Sequence, residues 1–197
     1  MQPKLILASS SPYRKLLLDK LRLSFRCQSP NIDETPAANE TPAQLVYRLA
    51  TQKARAIAQT TESDAIIIAS DQVAVLDGVA IGKPHNAHNA IQQLSLFSGK
   101  KVTFLTSLCV FNSKLQTYDT LITEFHVYLR DLAAEEIARY IELEQPFDCA
   151  GSFKCEGLGI SLFEKMEGDD PNSLIGLPLI QLCTLLRKNG INPLQSH

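Results

Sequence analysis

Hydrophobic positions along the chain follow two alternating rhythms, and each change of rhythm marks an element. Leu5, Ile6 and Leu7 form a short apolar run, Ser9, Ser10 and Ser11 follow as a polar turn, and Leu16, Leu17 and Leu21 then recur at helical spacing behind Pro12. Ser11 is a good N-cap and Pro12 suits the first helical position, so the stretch reads as strand, turn and helix. Residues 24–28 allow a second strand, and residues 29–41, with Pro30 and Pro36, read as loop. Thr41-Pro42 repeats the grammar that opens a helix, and Leu45, Val46, Leu49, Ala50, Ala54, Ile57 and Ala58 give that helix one apolar face. Lys53 rides on it, and a solvated lysine is its default reading.

Ala65 to Ala69 is uninterrupted apolar sequence, the pattern of a strand covered on both faces. Ser70-Asp71-Gln72 follows, which places polar groups at the carboxyl end of a buried strand, where open α/β sheets hold their ligands. Residues 73–76 and 79–81 flank Asp77-Gly78 as a hairpin, closed by Gly82-Lys83-Pro84. A helix over residues 87–97 turns Ala90, Ile91 and Leu94 inward and stops at Ser98-Gly99. Residues 102–111 and 117–129 form an antiparallel pair, and residues 135–144 a helix with Ile137, Tyr140 and Ile141 on one side. The stretch from Cys149 to Gly159 carries three glycines and no periodicity, so backbone there passes close to something. Residues 160–163 resume as strand, 168–172 as turn and 177–187 as the last helix. No repeat or linker divides the chain, so one α/β domain is expected over residues 1–197.

Composition narrows the class. A chain of 197 residues, 45% hydrophobic and 20% charged, suits a globular domain with a sizeable core. A net charge of −2 argues against a protein built to hold a nucleic-acid polymer. The first apolar run is too short for a signal peptide or a membrane span, so a cytoplasmic address without membrane attachment is expected. The five cysteines are odd in number and lack a C-x-x-C pair, which implies neither a disulfide framework nor a zinc site; buried or half-buried thiols account for them. His85, His88, His126 and His197 have no cluster around them and read as surface residues.

The opening stretch has the makings of an anion site, because a helix N-terminus beside small hydroxyl residues favours phosphate. The polar groups that fall in loops or at strand ends are Arg14, Asp33, Glu34, Asp71, Lys83, Lys154 and Glu156, with Lys53 on a neighbouring helix face. Carboxylates with several cations are the stock of a metal-assisted phosphate enzyme: magnesium takes one or two carboxylates, Arg and Lys neutralise phosphate, and a further carboxylate accepts a proton from water. Ser98-Gly99-Lys100-Lys101 is not a phosphate-binding Walker loop, since Leu94 stands where its first glycine belongs. Ser9 to Ser11 are not in a G-x-S-x-G elbow, which removes a serine nucleophile.

Seven motifs, in order, carry a resemblance: LASSSPYRKLLL, Asp33-Glu34, Lys53-Ala54, Ser70-Asp71-Gln72, Gly82-Lys83-Pro84, Ala150-Gly151-Ser152-Phe153, and the run from Asn172 to Pro178. The chain resembles the Maf family of nucleotide pyrophosphatases from Leu5 to about Pro193, and within it the branch acting on 7-methyl-GTP. The resemblance implies an elongated α/β fold with a mixed sheet, two lobes and a central cleft, similar to the inosine triphosphate pyrophosphatases. It implies hydrolysis of a modified purine nucleoside triphosphate to monophosphate and diphosphate with a divalent cation, magnesium or manganese. By motif, Ser9, Ser11 and Arg14 would hold phosphate, with Lys154 a further substrate-binding residue. Glu34 and Asp71 would serve metal and water, Asp71 as proton acceptor, while Lys53 and Lys83 would face the triphosphate. A homodimer is a possible assembly.

Three positions depart from the commoner pattern of that family and are the expected selectivity determinants: Tyr13 where a second Arg is usual, Gln72 where Thr is usual, and Glu156 where Gln is common. The chemistry agrees. Methylation at N7 makes guanine a cation that the face of Tyr13 attracts, and the Glu156 carboxylate can accept hydrogens from the N1 and N2 edge. The alternatives are a dTTP or UTP pyrophosphatase of the same family, or a nucleotide-binding regulator of cell division.

Overall fold

The structure, a computed structural model, describes residues 3–61 and 64–195; His197 therefore lies outside the described residues. Seven strands form one mixed sheet in the order β2-β1-β3-β5-β6-β7, with β4 on the same edge of β3 as β1. β1 (Lys4–Leu7) pairs in parallel with β2 (Arg26–Cys27) and β3 (Ala65–Leu76). β4 (Val79–Ile81), β5 (Lys101–Asn112), β6 (Thr117–Leu129) and β7 (Phe163–Glu167) are added antiparallel. The helices are α1 (Pro12–Asp19), α2 (Pro42–Gln59), α3 (Ala87–Phe97), α4 (Ala134–Glu144), α5 (Pro171–Ile175) and α6 (Leu179–Lys188).

Two apolar clusters on opposite faces of the sheet explain why residues 65–69 carry no polar position. Ala65, Ile67 and Ala69 pack under Ala50, Ala54 and Ile57 of α2, while Ile66 and Ile68 pack with Leu17 and Leu18 of α1 and Leu182 and Leu186 of α6. A third cluster fills the other end of the molecule, where Ala90, Leu94 and Phe97 of α3 meet Ile137, Tyr140 and Ile141 of α4 over Phe104, Phe125 and Val127. The long strands β3, β5 and β6 run through both ends and join them.

Several expected boundaries shift. β3 does not stop at Ala69: it continues through Asp71 to Leu76, because β5 pairs with it without a break from Ile66 to Val75. Asp71 is thus a mid-strand residue rather than a strand-end one. The hairpin to β4 is present, and Asp77 and Gly78 both have the positive φ, 50° and 82°, that a tight two-residue turn needs. The expected strand over 24–28 shrinks to Arg26–Cys27. In α1 it is Leu17 and Leu18 that are buried, while Leu16 is exposed; the inward stripe runs Arg14, Leu17, Leu18, Leu21. Ile91 of α3 is exposed and Phe97 takes its inner place.

Residues 158–162, including Ile160, form a 3-10 turn, and the strand starts only at Phe163. The presumed turn at 168–172 leads into α5, because Asp170 is a buried N-cap whose carboxylate accepts from Asn172 N at 2.9 Å and from Ile180 N at 2.7 Å. The last helix accordingly begins at Leu179, two residues later than the apolar spacing suggests. Cys27 is exposed, contrary to expectation, whereas the remaining cysteines are buried or half-buried. His85 and His88 are exposed, and His126 is half-buried with its ring against the Thr103 hydroxyl at 3.0 Å.

Candidate active site

One edge of β3 organises the site. β1 pairs with Ala65 to Ile68 on that edge and β4 with Ala74 to Leu76, so residues 69–73 between them face no strand among the described residues. The gap is where the turn after β1, the segment after α5 and the loop after β4 converge. Because side chains alternate along a strand, Asp71 leaves β3 toward α2, and Ser70 and Gln72 leave it on the opposite face.

On the α2 face, the Lys53 ammonium donates to Asp71 Oδ1 at 2.6 Å and meets Glu34 Oε1 at 2.8 Å. Lys53 and Asp71 are both buried, while the Glu34 side chain is 55% exposed at the mouth. Lys53 is not the solvated lysine of the default reading. It occupies the helical stripe of Val46, Leu49, Ala50, Ala54 and Ile57, and burial there demands a counter-charge, which Asp71 supplies. Burial pushes the Glu34 carboxyl up, but the Lys53 hydrogen bond and the charges of Lys53, Lys83 and Arg14 outweigh it and hold the group below the usual carboxylate range.

The loop that carries Glu34 is fastened from α2. Arg48 grips Glu40 with two parallel hydrogen bonds, 2.6 and 2.7 Å, and donates a third to the Thr35 carbonyl at 3.1 Å. That fork and the Ala37 N–H pull the Glu40 carboxyl down to about 2. Asp33, by contrast, stays exposed and accepts from Thr35 N. Its adjacent position in sequence gives it no share in the cluster.

The opposite face is built on the carbonyls that end α5. Gly176 O accepts from Arg14 Nε at 2.9 Å and from the Ser70 hydroxyl at 2.8 Å. Gln72 Nε2 reaches Ser173 O at 2.8 Å, Leu174 O at 3.0 Å and Thr106 Oγ1 at 2.9 Å. Gly176 has φ +122°, a conformation L side chains rarely adopt, which explains a glycine at that turn. The Gln72 amide nitrogen is fully engaged, so its carbonyl oxygen is the atom left to face a ligand. Ser9 is buried and its hydroxyl accepts from Ser11 N at 3.1 Å; Ser11 caps α1 by accepting from Arg14 N at 3.4 Å. The expected helix N-terminus at the end of β1 is therefore in place. Burial lowers the affinity of the Arg14 guanidinium for its proton, and the charges of Asp71 and Glu34 act against that.

A cleft open to solvent is lined by Ser11, Tyr13, Arg14, Gln72 and Lys83 together with Asp148, Cys149, Phe153, Cys155 and Glu156. The Tyr13 hydroxyl donates to the Cys149 sulfur, and burial together with that bond pushes the phenol above its ordinary value. Burial also pushes the Cys155 thiol up to about 12, so neither cysteine is an activated nucleophile.

The structure thus brings Ser11, Tyr13, Arg14, Gln72, Lys83 and Glu156 to one cleft, with Glu34, Lys53 and Asp71 across the open edge of β3 and Ser9 beneath the turn. Lys154 is not in that company. Its ammonium donates to the Glu144 carbonyl at 2.5 Å, at the C-terminal end of α4, where carbonyls attract cations. Residues the sequence reading passed over are Ser70 and Asp148 at the site and Arg48 and Glu40 behind it. Position in the motif Ser70-Asp71-Gln72 was signal enough for the first; Asp148, in a featureless loop, offered none.

Asp71 and Glu34 are hard oxygen donors meeting at one ammonium, and two carboxylates beside the helix N-terminus of α1 fit the needs of a magnesium or manganese ion. No group of three or more metal-binding side chains occurs among the described residues, so further oxygens would come from substrate and water. Chemically, the arrangement can neutralise a polyphosphate, accept a proton from water and enclose a flat base.

Comparisons with known proteins agree with this chemistry. The family model described as Maf-like protein matches residues 4–189. A protein of Idiomarina loihiensis named 7-methyl-GTP pyrophosphatase is 57% identical over 191 residues, covering 96% of either chain. A protein of the same name from Colwellia psychrerythraea is 53% identical over 190 residues, covering 96% of this chain and 94% of its own. Among solved structures, a HAM1 protein from Coxiella burnetii superposes with a TM-score of 0.52 at 15% identity, over 95% of this chain and 100% of its own. At that identity the likeness carries the fold alone.

Proposed function

This chain belongs to the Maf family, and we infer that it hydrolyses 7-methyl-GTP to 7-methyl-GMP and diphosphate. The observation that carries the inference is the pairing of Asp71, Lys53 and Glu34 with a cleft lined by Tyr13 and Glu156. Relatives at this level of identity, covering nearly the whole chain, support the same substrate.

In the proposed reaction the triphosphate lies along the open edge of β3. Backbone N–H groups at the start of α1, the hydroxyls of Ser9 and Ser11, and Arg14, Lys53 and Lys83 take up its charge. Asp71 accepts the proton of a water molecule whose oxygen bonds to phosphorus, while the bridging P–O bond between the α and β phosphates breaks and diphosphate leaves. A magnesium or manganese ion held by Glu34 and Asp71 would supply charge neutralisation to the phosphates and lower the pKa of water. Lys53 holds both carboxylates in place before substrate arrives. At the other end, Tyr13 presents an aromatic face, Glu156 an acceptor pair and Gln72 its carbonyl oxygen to the base.

Lys154 enters this scheme as the residue that fixes the loop before Glu156 to α4, in keeping with its bond to Glu144. The proposal includes a cytoplasmic address, where nucleoside triphosphates are made; no helix among the described residues is long and apolar enough to cross a membrane.

Product analysis tests the reaction. Incubation with 7-methyl-GTP and magnesium should give equal amounts of 7-methyl-GMP and diphosphate and should stop when the metal is chelated. Release of orthophosphate with 7-methyl-GDP would contradict the proposed bond cleavage, and nucleotide binding without any product would make the protein a sensor.

A further inference from the structure

We propose that Asp148 is a second specificity-determining carboxylate of the cleft, acting with Glu156 to favour a purine base that carries a positive charge. The proposal rests on the substrate reading above and extends it to a residue outside every motif.

The cleft carries both signs of charge: Arg14 and Lys83 line it, with Lys53 across the strand edge, and the carboxylates of its lining are Asp148 and Glu156, which share it with Tyr13. Both carboxylates are exposed, and both act on the same two groups: each raises the Tyr13 phenol and the Cys149 thiol, after the larger effect of burial. Asp148 and Glu156 thus both act on the Tyr13 side chain that would stack on the base, and both line the cleft with it. Lys154 acts on Cys149 in the opposite sense. Its ammonium is held at the Glu144 carbonyl and lies 3.8 Å from the Glu144 carboxylate, so Glu144 offsets part of its charge.

Asp148 is also held in position. On one side Phe147 packs against the core cluster and its carbonyl accepts from His85 N at 3.0 Å; on the other Cys149 N donates to Pro146 O at 3.3 Å and the Cys149 thiol takes the Tyr13 hydroxyl. The turn that carries Asp148 is thereby tied to the loop that carries Lys83 and to the residue that would stack on the base.

A 7-methylguanine nucleotide is complementary to that set of charges, cationic at the base and anionic at the phosphates, whereas GTP is neutral at the base. An exposed carboxylate contributes a modest, salt-screened preference rather than an absolute one. The experiment is kcat/KM for 7-methyl-GTP and for GTP on the wild type, Asp148→Asn and Asp148→Glu, at low and at high salt. Asp148→Asn should reduce the preference for the methylated base about two- to fivefold at low salt. The loss should be larger for 7-methyl-GTP than for GTP, Asp148→Glu should keep the preference, and the gap between variants should close as salt rises. A wild-type preference left unaltered by Asp148→Asn would overturn this proposal alone. A wild type with no preference for 7-methyl-GTP over GTP would overturn the substrate reading, and the role of Asp148 with it.

Discussion

Asp71→Asn is expected to lower kcat by about 10²- to 10⁴-fold, the range for removing a positioned general base, while the fold and nucleotide binding persist. Asparagine keeps the shape of the side chain and an oxygen that can accept from Lys53, and Lys53 retains Glu34 at 2.8 Å. The loss should therefore appear in kcat with KM nearly unchanged, measured by diphosphate release alongside circular dichroism. Turnover within a factor of ten of wild type would exclude Asp71 as the proton acceptor, since a base in the reaction coordinate is not replaced by an amide.

The second large effect is expected at Lys53, and here stability and activity fall together. Lys53→Met fills the same volume in the stripe of α2 but leaves Asp71, with its side chain 10% exposed, without the cation it touches. Breaking a buried pair by removing one partner typically costs about 3–5 kcal/mol. The lower part of that range, about 3 kcal/mol, applies here, because the Arg14 charge also acts on Asp71 and the site opens to solvent at Glu34. Turnover should drop by about 10² or more, as phosphate loses a neutralising charge and Glu34 loses its anchor. Denaturant midpoints and steady-state rates measure the two effects separately. An unaltered midpoint would mean that the ion pair does not hold the site together.

Much of this fold was legible because its helices and long strands are strongly periodic. The apolar runs at Ala65 to Ala69 and along β5 and β6, the caps at Ser11 and Thr41, and the Asp-Gly hairpin all follow from local rules that the tertiary structure does not override. What was not legible depended on partners distant in sequence. β3 extends through Ser70-Asp71-Gln72 because β5 pairs along it, and no local rule keeps a polar triplet inside a strand. The rotation of α1 that buries Leu18 in place of Leu16 is set by α6 and by the bond from Arg14 to Gly176, 162 residues away.

The site shows the same division. Motif order placed Glu34, Asp71 and Lys83, and the structure gathers them with Lys53 around one strand edge. Lys53 could have been singled out on physical grounds, because a lysine in register with Leu49, Ala50 and Ile57 must be buried and a buried lysine needs an acid. Lys154 went the other way: a loop lysine between glycines reads as available, yet the C-terminus of α4 captures it. Asp148 had neither periodicity nor motif, and only the closure of the cleft shows which groups it faces.

The most direct test of the account is a competition in which the wild-type protein meets equimolar 7-methyl-GTP, GTP, UTP and dTTP with magnesium, and the monophosphates are resolved by chromatography over time. A cleft lined by Tyr13, Gln72 and Glu156 predicts that 7-methyl-GMP forms about tenfold faster than any other product. Equal rates across the mixture, or UMP or dTMP appearing first, would contradict it.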